Sequence, residues 1–193
     1  MVMKKHSEYD EYFQDYGAGT PFSWLQYLAQ GIAESNLDPD AKSSAGAIGI
    51  MQIVPTTAGI DLGLTAEQLY DPELNISGGI RYMCNMHTFW KSFNIPASEM
   101  WYFCLASYNA GVGNVSKAYR LARHKNWEHK DWGVVGGLCL PRITGEKNSI
   151  ETLNYVARCK RLYLELEKEI QINSGVGKAV RSSRAPQANR RLL

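Results

Sequence analysis

The sequence has no apolar stretch close to the ~20 residues that a helix needs to cross a bilayer. Charged side chains recur through residues 1–15, so we expect no cleavable secretion signal in this segment. No internal repeat is present. The 193 residues are 45% hydrophobic and 21% charged, which is the composition of a globular domain. A disordered, collagen-like or coiled-coil chain is therefore excluded, and one domain with a single core is expected.

Cysteine is also scarce. The four cysteines form no C-x-x-C pair and lie apart from the four histidines, so no zinc site is predicted. No phosphate-binding loop or nucleotide fingerprint is present either. We therefore expect no metal, no cofactor and reduced thiols at Cys84, Cys104, Cys139 and Cys159.

Charge is unevenly distributed along the chain. The net charge is +2, but the segment from Ile172 onward contains no acidic residue and five basic ones, so the rest of the chain is mildly acidic. Such a tail is typical of an arm that docks on an anionic partner, and equally of a solvated, disordered terminus. An acidic body disfavours binding to nucleic acid. The basic residues are Lys178, Arg181, Arg184, Arg190 and Arg191.

Runs of alternating β-branched residues are few, whereas apolar residues recur with helical spacing. The pattern predicts one all-α domain over residues 17–171, preceded by a charged segment at 1–16 and followed by a basic, flexible tail at 172–193. Residues 125–148 show no clear period. Helices are predicted to start at Thr20-Pro21, Asp71-Pro72, Pro96, Asn114 and Ser149.

Glu34 is the acidic residue with the most unusual position. It lies in the last turn of an apolar helix, where the negative end of the helix dipole and a partly apolar cleft both raise the pKa of a carboxyl. A raised pKa is what a general acid requires. Asp38 and Asp40 flank Pro39 and are interpreted as turn formers. Most glutamates at helix ends are plain surface residues, so Glu34 must be judged with its neighbouring motifs.

Five short motifs follow one another in order and together resemble the soluble lytic transglycosylase (SLT) family over residues 22–165. Three positions depart mildly from the family pattern, namely Ile50, Val54 and Ser107. The motifs are Glu34-Ser35, Gly49-Ile50-Met51-Gln52, the segment from Leu69 to Ile76 with Gly79 and Arg81-Tyr82, Ser107-Tyr108-Asn109-Ala110-Gly111, and Glu151-Thr152 with Tyr155-Val156.

The resemblance implies a lysozyme-like helical fold with a substrate cleft and a peptidoglycan lytic transglycosylase. Such an enzyme cleaves the β-1,4 bond between MurNAc and GlcNAc in a glycan strand and forms 1,6-anhydroMurNAc. Glu34 would act first as general acid and then as base. The 2-acetamido group of the substrate would stabilise the anomeric centre, so a second carboxylate is not required.

The other motif residues are predicted to line the cleft. Ser43, Gln52 and Tyr155 carry donors for acetamido or ring oxygens, and Met51 offers an apolar wall. Tyr108 is predicted to donate a hydrogen bond to Glu34. For Met51, Tyr108 and Tyr155 the alternative is ordinary core packing. Asn109 braces the turn or touches the sugar, Glu151 is either a first-turn helix residue or a cleft residue, and Trp127 and Trp132 are candidates for stacking on sugar rings.

Two other functions fit the same residues. A goose-type lysozyme of similar fold would hydrolyse the same bond, and a structural protein would only bind the wall. An enzyme or a wall binder must reach peptidoglycan in the periplasm. The chain is nevertheless expected to be made in the cytoplasm without a secretion signal. Delivery in a bacteriophage virion or through a secretion machine, with the basic tail as a docking arm, reconciles the two expectations, as does cleavage from a longer exported protein.

Overall fold

A computed structural model of the protein describes the backbone of residues 7–182 and the side chains of residues 7–172. This part of the chain contains no β-strand, only isolated bridges that join Ile48 to Lys42 and to Ile53. The predicted all-α class is therefore confirmed. The helices of eight or more residues in this part are α1 (Asp10–Gly17), α2 (Trp24–Ser35), α3 (Pro72–Lys91), α4 (Ala97–Ala110), α5 (Val112–His124) and α6 (Glu146–Ser182).

Helix α2 carries the predicted acid and begins later than predicted. Ser23 caps it, since the Ser23 hydroxyl accepts the Gln26 N–H and the Gln26 side chain accepts the Ser23 N–H. Thr20 is not the cap, because its hydroxyl donates to the Gly17 carbonyl at 2.8 Å. The helix ends at Ser35 as predicted, where Asn36 turns into the left-handed region with φ 58°.

The predicted starts of the two central helices are confirmed. The Asp71 carboxylate accepts the Leu74 N–H at 2.9 Å and Pro72 is the first residue of α3, while Pro96 precedes α4. These helices pack together around the fully buried Trp90. The indole N–H of Trp90 donates to the Ser107 hydroxyl at 2.8 Å. This bond gives Ser107, a departure from the family pattern, a structural role.

Residues 125–148 lack a helical period because they form three short turns of different pitch. These turns are Trp132–Val134, the π-helical turn Val135–Cys139 and Leu140–Thr144. Gly136 is required there, since a Cβ atom would lie 2.7 Å from the Trp132 ring. Trp132 itself is buried against Phe103, so its prediction as a stacking platform is wrong, whereas Trp127 is 37% exposed.

Helix α6 starts at Glu146, three residues before the predicted cap, and Ser149 is buried inside its first turns. The α6 backbone continues past residue 171 to Ser182, and the remainder of the predicted tail lies outside the described residues. Helix α6 packs along α2 and α4. This packing brings the end of α2 beside the first half of α6. In the described part of the chain, no helix is both long and apolar enough to cross a membrane.

Candidate active site

Glu34 lies where the last turn of α2 meets α6. The Tyr155 hydroxyl of α6 donates a hydrogen bond to Glu34 Oε1 at 2.6 Å. Both side chains are only partly accessible to solvent. The sequence predicted that another tyrosine, Tyr108, makes this bond. That prediction is wrong, because the Tyr108 hydroxyl donates to the Met51 carbonyl at 2.7 Å.

Burial raises the pKa of Glu34 to about 7. The Tyr155 hydrogen bond and the positive charge of Arg158 both lower this pKa, but their combined effect is smaller than that of burial. The predicted direction is therefore confirmed. A carboxyl with such a pKa is largely protonated at slightly acidic pH and can both give and take a proton near neutrality.

Arg158 is a site residue that the sequence reasoning missed. Its guanidinium donates to the Ile32 carbonyl at 3.4 Å, one turn along α6 from Tyr155. It therefore occupies the carboxyl end of α2, where a cation is favourable. The signal in the sequence was the spacing of three residues between Tyr155 and Arg158, which places both side chains on one face of a helix.

A loop, residues 35–54, follows Glu34 directly in the chain, and we call it the loop wall. Ser35 starts it, since the Ser35 hydroxyl donates to the Ile50 carbonyl at 2.9 Å and accepts the Asp38 N–H. The Ser43 hydroxyl accepts the Ala47 N–H at 3.0 Å. The Ser43 hydroxyl thus closes a turn of the loop as an acceptor, and its role as a donor to substrate stays a prediction.

Gln52 also serves the loop wall. Its φ of 48° lies in the left-handed region, and its amide Nε2 donates to the carbonyls of Ala41 and Gly49 at 3.2 and 2.9 Å. The amide donor that was predicted for an acetamido group therefore ties two parts of the loop together. Asp38 and Asp40 are exposed on the same loop, and the Asp38 carboxylate accepts the Asp40 N–H, as expected for turn formers.

Asn75 of α3 anchors the loop wall, and the sequence reasoning gave it no role of its own. This fully buried amide accepts the Met51 N–H at 2.7 Å and donates to the carbonyls of Ile48 and Leu69 at 3.0 and 2.8 Å. Gly49 makes room for it, since a Cβ atom there would lie 2.4 Å from the Asn75 amide nitrogen. A polar residue inside the apolar pattern of α3 was the signal that pointed to this role.

Two other residues predicted to line the cleft belong to the structural frame. The Met51 side chain is fully buried, so it presents no apolar wall to a ligand. Tyr108 packs edge-on against Tyr82 with ring centroids 5.2 Å apart and fixes the Met51 carbonyl. Both Met51 and Tyr108 therefore pack in the core, which was the alternative considered for them.

A polar groove of about 380 Å³ lies between the end of α4 and the start of α6. Asn109 and Glu151 both line it and are exposed, so the structure brings these two predicted residues together. The Thr152 hydroxyl donates to Asn109 Oδ1 at 2.8 Å and joins α6 to the end of α4. We call the helix face that carries Glu151, Thr152, Tyr155 and Arg158 the α6 wall.

The titratable residues of the site do not gather into a metal centre. Across residues 7–172, no three His, Cys, Asp or Glu side chains are grouped closely enough to hold a metal ion. The four cysteines are free thiols, and Cys104, Cys139 and Cys159 are buried.

Residues 18–130 match the family described as the transglycosylase SLT domain. Two similar proteins are membrane-bound lytic murein transglycosylases F. The one from Vibrio vulnificus (strain YJ016) is 30% identical in an alignment of 172 positions that covers 84% of this chain and 31% of that protein. The one from Maricaulis maris is 33% identical over 82% of this chain and 36% of that protein. The chain thus spans about a third of the length of these relatives.

Among solved structures, the chain resembles the 70 kDa soluble lytic transglycosylase from Escherichia coli. The TM-score is 0.57 at 25% sequence identity. The similarity covers 82% of this chain and 24% of the larger protein. The predicted lysozyme-like helical architecture is therefore confirmed, and the family match covers α2, the loop wall and helices α3 to α5.

Proposed function

The chain belongs to the transglycosylase SLT domain family, and on this premise we propose that it is a peptidoglycan lytic transglycosylase with Glu34 as its catalytic residue. The single observation that carries the proposal is the carboxyl of Glu34, buried at a cleft with its pKa raised to about 7 and one oxygen held by Tyr155. The raised pKa supports a Glu34 carboxyl that is protonated when substrate binds and can act as general acid.

In the first step, Glu34 gives its proton to the glycosidic oxygen between MurNAc and GlcNAc. Because Tyr155 donates to Oε1, we assign the transferred proton to Oε2. The bond between C1 and the protonated oxygen breaks, and GlcNAc leaves with a free hydroxyl. The 2-acetamido carbonyl of MurNAc stabilises the cation-like C1 centre, so the step needs no second protein carboxylate.

In the second step, the Glu34 carboxylate takes the proton from the C6 hydroxyl of MurNAc as that oxygen bonds to C1. The product is 1,6-anhydroMurNAc, and Glu34 returns to its protonated form. Tyr155 is a positioning residue in both steps, since its hydroxyl keeps one carboxyl oxygen fixed while the other exchanges the proton. Arg158 stabilises the intermediate carboxylate through its charge.

The glycan strand is proposed to lie between the loop wall and the α6 wall. Asn109 and Glu151 are the substrate-binding candidates in the groove, where their exposed polar groups can reach sugar hydroxyls or a peptide stem. Ser43 and Gln52 shape the opposite side through bonds within the loop, and Met51 and Tyr108 support it from behind. No cofactor is invoked.

Hydrolysis is the second candidate for the same cleft. A water molecule at the position of the C6 hydroxyl would give a reducing MurNAc end. A hydrolase would use a second carboxylate to activate the water. Asp38 caps a turn and Asp40 is exposed on the loop surface, so neither is offered as that carboxylate, which favours the transglycosylase. Mass spectrometry of products from purified sacculi decides between them. We expect muropeptides lighter by one water than their hydrolysed counterparts, and hydrated products would establish the hydrolase instead.

Where the protein acts follows from this substrate. We propose action on periplasmic peptidoglycan, and delivery by a virion or a secretion machine stays a prediction, with residues 172–193 as its candidate docking arm. Mass spectrometry of purified particles and of membrane fractions tests it. Recovery of the chain in neither fraction would contradict both routes. A wall-binding protein without activity would bind sacculi and release no muropeptides.

A further inference from the structure

Trp127 is held with its ring outward by the turn that follows α5. The Trp127 N–H donates to the Ala122 carbonyl at 2.9 Å, and Asn126 adopts a φ of 56° to make this turn. Trp127 is 37% exposed, whereas Trp90, Trp101 and Trp132 are at most 8% exposed. An exposed indole is an apolar surface with a polar N–H.

A second exposed apolar residue and a cation adjoin this ring. The Arg142 guanidinium lies 5.8 Å from the centroid of the Trp127 ring and donates to the Leu138 carbonyl. Leu138 is 49% exposed. Arg142 thus lies next to both the Trp127 ring and the Leu138 main chain, and we call these three residues the Trp127 patch.

The surroundings of the Trp127 patch are cationic, although the body of the chain is mildly acidic. No acidic residue occurs between Glu99 and Glu128 in the sequence. Arg123 and Lys125 are exposed in and just after the last turn of α5, directly before Trp127. Carboxylates in this region include Glu128, Asp131 and Glu99, of which Asp131 accepts the Val134 N–H at 2.9 Å and Glu99 accepts the Trp132 N–H at 3.0 Å.

We propose that the Trp127 patch, with Arg123 and Lys125, docks on the surface of an anionic lipid bilayer. Indole rings settle at the level of the lipid headgroups, and Lys and Arg side chains are attracted to anionic lipids. The exposed Leu138 favours lipid over the carboxylates of a peptide stem, since only a bilayer offers it an apolar environment. The apolar residues and the cations each contribute weakly, so their combination supports reversible binding to the bilayer.

Docking at this face would hold the substrate groove close to the bilayer. Ile143 and Thr144, which follow Arg142 in the chain, line the groove. The proposal does not depend on bond cleavage by Glu34, so its test needs no activity. Its failure would leave the proposed enzymatic function untouched.

The direct test is sedimentation of the full chain with lipid vesicles. We expect binding when about a third of the lipid is phosphatidylglycerol, and little binding to pure phosphatidylcholine. About 0.5 M salt should weaken the interaction strongly. Brominated acyl chains should quench Trp127 fluorescence, and Trp127→Phe should remove most of that quenching. Absence of binding to anionic vesicles would overturn the proposal.

Variants locate the surface. Trp127→Ala with Leu138→Ser should lower the partition coefficient at least about tenfold, and Arg123→Gln with Lys125→Gln should lower it severalfold. Ile60→Ser and Lys91→Gln are matched controls, because both residues are exposed outside the patch. Circular dichroism verifies that every variant is folded.

Two results would place the binding elsewhere. Wild-type affinity of both double variants would assign lipid binding to another part of the chain, such as the basic residues beyond 172. If the variants instead lose binding to sacculi, or lose self-association measured by ultracentrifugation, the patch recognises the wall or a second copy. Each of these outcomes contradicts docking of the Trp127 patch on lipid.

Discussion

The two sides of the cleft are built by different kinds of hydrogen bond. In the loop wall, the side chains of Ser35, Ser43 and Gln52 bond to main-chain groups of the same loop. On the α6 wall, Tyr155 and Thr152 donate to side chains of other helices, those of Glu34 and Asn109. The bonds to main-chain groups fix the shape of the loop, whereas the bond from Tyr155 orients the side chain of the proposed acid. The loop wall is thus a frame, and the α6 wall carries the residue that holds Glu34.

The largest effect is expected at the acid that the α6 wall holds. Glu34→Gln removes the proton donor but preserves the shape of the side chain, so muropeptide release should fall roughly a thousandfold. Asp40→Asn, the same exchange on the exposed loop, should retain activity. Release assayed from purified sacculi measures both variants. Near-normal activity of Glu34→Gln would contradict the assignment of the acid.

The stability of Glu34→Gln gives an independent check. Burial raises the folded-state pKa of Glu34 from 4.5 to about 7, so wild-type stability is full below pH 4.5 and falls as pH rises towards 7. The loss amounts to about 3 kcal/mol. Glu34→Gln should therefore be more stable than wild type at pH 8 and similar at pH 4. If the free energy of unfolding, measured by urea denaturation, depends on pH equally in wild type and Glu34→Gln, the Glu34 carboxyl is not buried.

Substitution of the residue that anchors the loop wall should lower the free energy of unfolding. Asn75→Ala leaves the Met51 N–H and the carbonyls of Ile48 and Leu69 without their partner inside the core. We expect a loss of about 3–4 kcal/mol in the free energy of unfolding, since each unsatisfied buried group costs about 1–3 kcal/mol. Asn85→Ala, an exposed asparagine on the same helix, is the matched control. A loss below about 1 kcal/mol, as for a surface substitution, would refute the anchoring role.

Two tyrosine-to-phenylalanine exchanges compare the walls directly. Tyr155→Phe removes a hydrogen bond to the acid, worth about 1.5–3 kcal/mol, so activity should fall roughly 10- to 100-fold. Because this bond lowers the pKa of Glu34, the alkaline limb of the pH–rate profile should also move to higher pH. Tyr108→Phe should lose about 1 kcal/mol of stability with the limb unchanged. If Tyr108→Phe lost activity and shifted the limb while Tyr155→Phe lost only stability, Tyr108 would be the residue that holds the acid.

The smallest effect is expected at the exposed Arg158. Its charge lowers the pKa of Glu34, so Arg158→Gln should move the alkaline limb upward by less than about one pH unit. Arg161→Gln removes a cation that pairs with Glu165 and serves as control. A downward shift in Arg158→Gln would show that the guanidinium does not act on the carboxyl.

The sequence predicted what depends on local pattern. The end of α2 at Ser35, the starts of α3 and α4 and the raised pKa of Glu34 follow from capping, helix periodicity and position. Residues 125–148 escaped prediction because turns of mixed pitch have no single period.

The assignment of hydrogen-bond partners required the tertiary structure. Tyr108 and Tyr155 occupy comparable motif positions, and which hydroxyl reaches Glu34 depends on how α4 and α6 rotate against α2. The bonds of Asn75 to the loop span more than 20 residues, so its position in the apolar pattern of α3 signals a buried polar role but not the partners. The amide donors of Gln52, which were predicted for substrate, are used by carbonyls that the loop brings near, and the Ser43 hydroxyl accepts the Ala47 N–H.

The most direct test of the account is a titration of the Glu34 carboxyl. Carbon-13 NMR of protein labelled at its glutamate carboxyls, with the signal assigned by its loss in Glu34→Gln, gives the pKa without any substrate. Burial predicts a value of about 7. A value near 4.5, the ordinary pKa of a glutamate, would show that the site is solvated and would contradict Glu34 as an acid poised for catalysis.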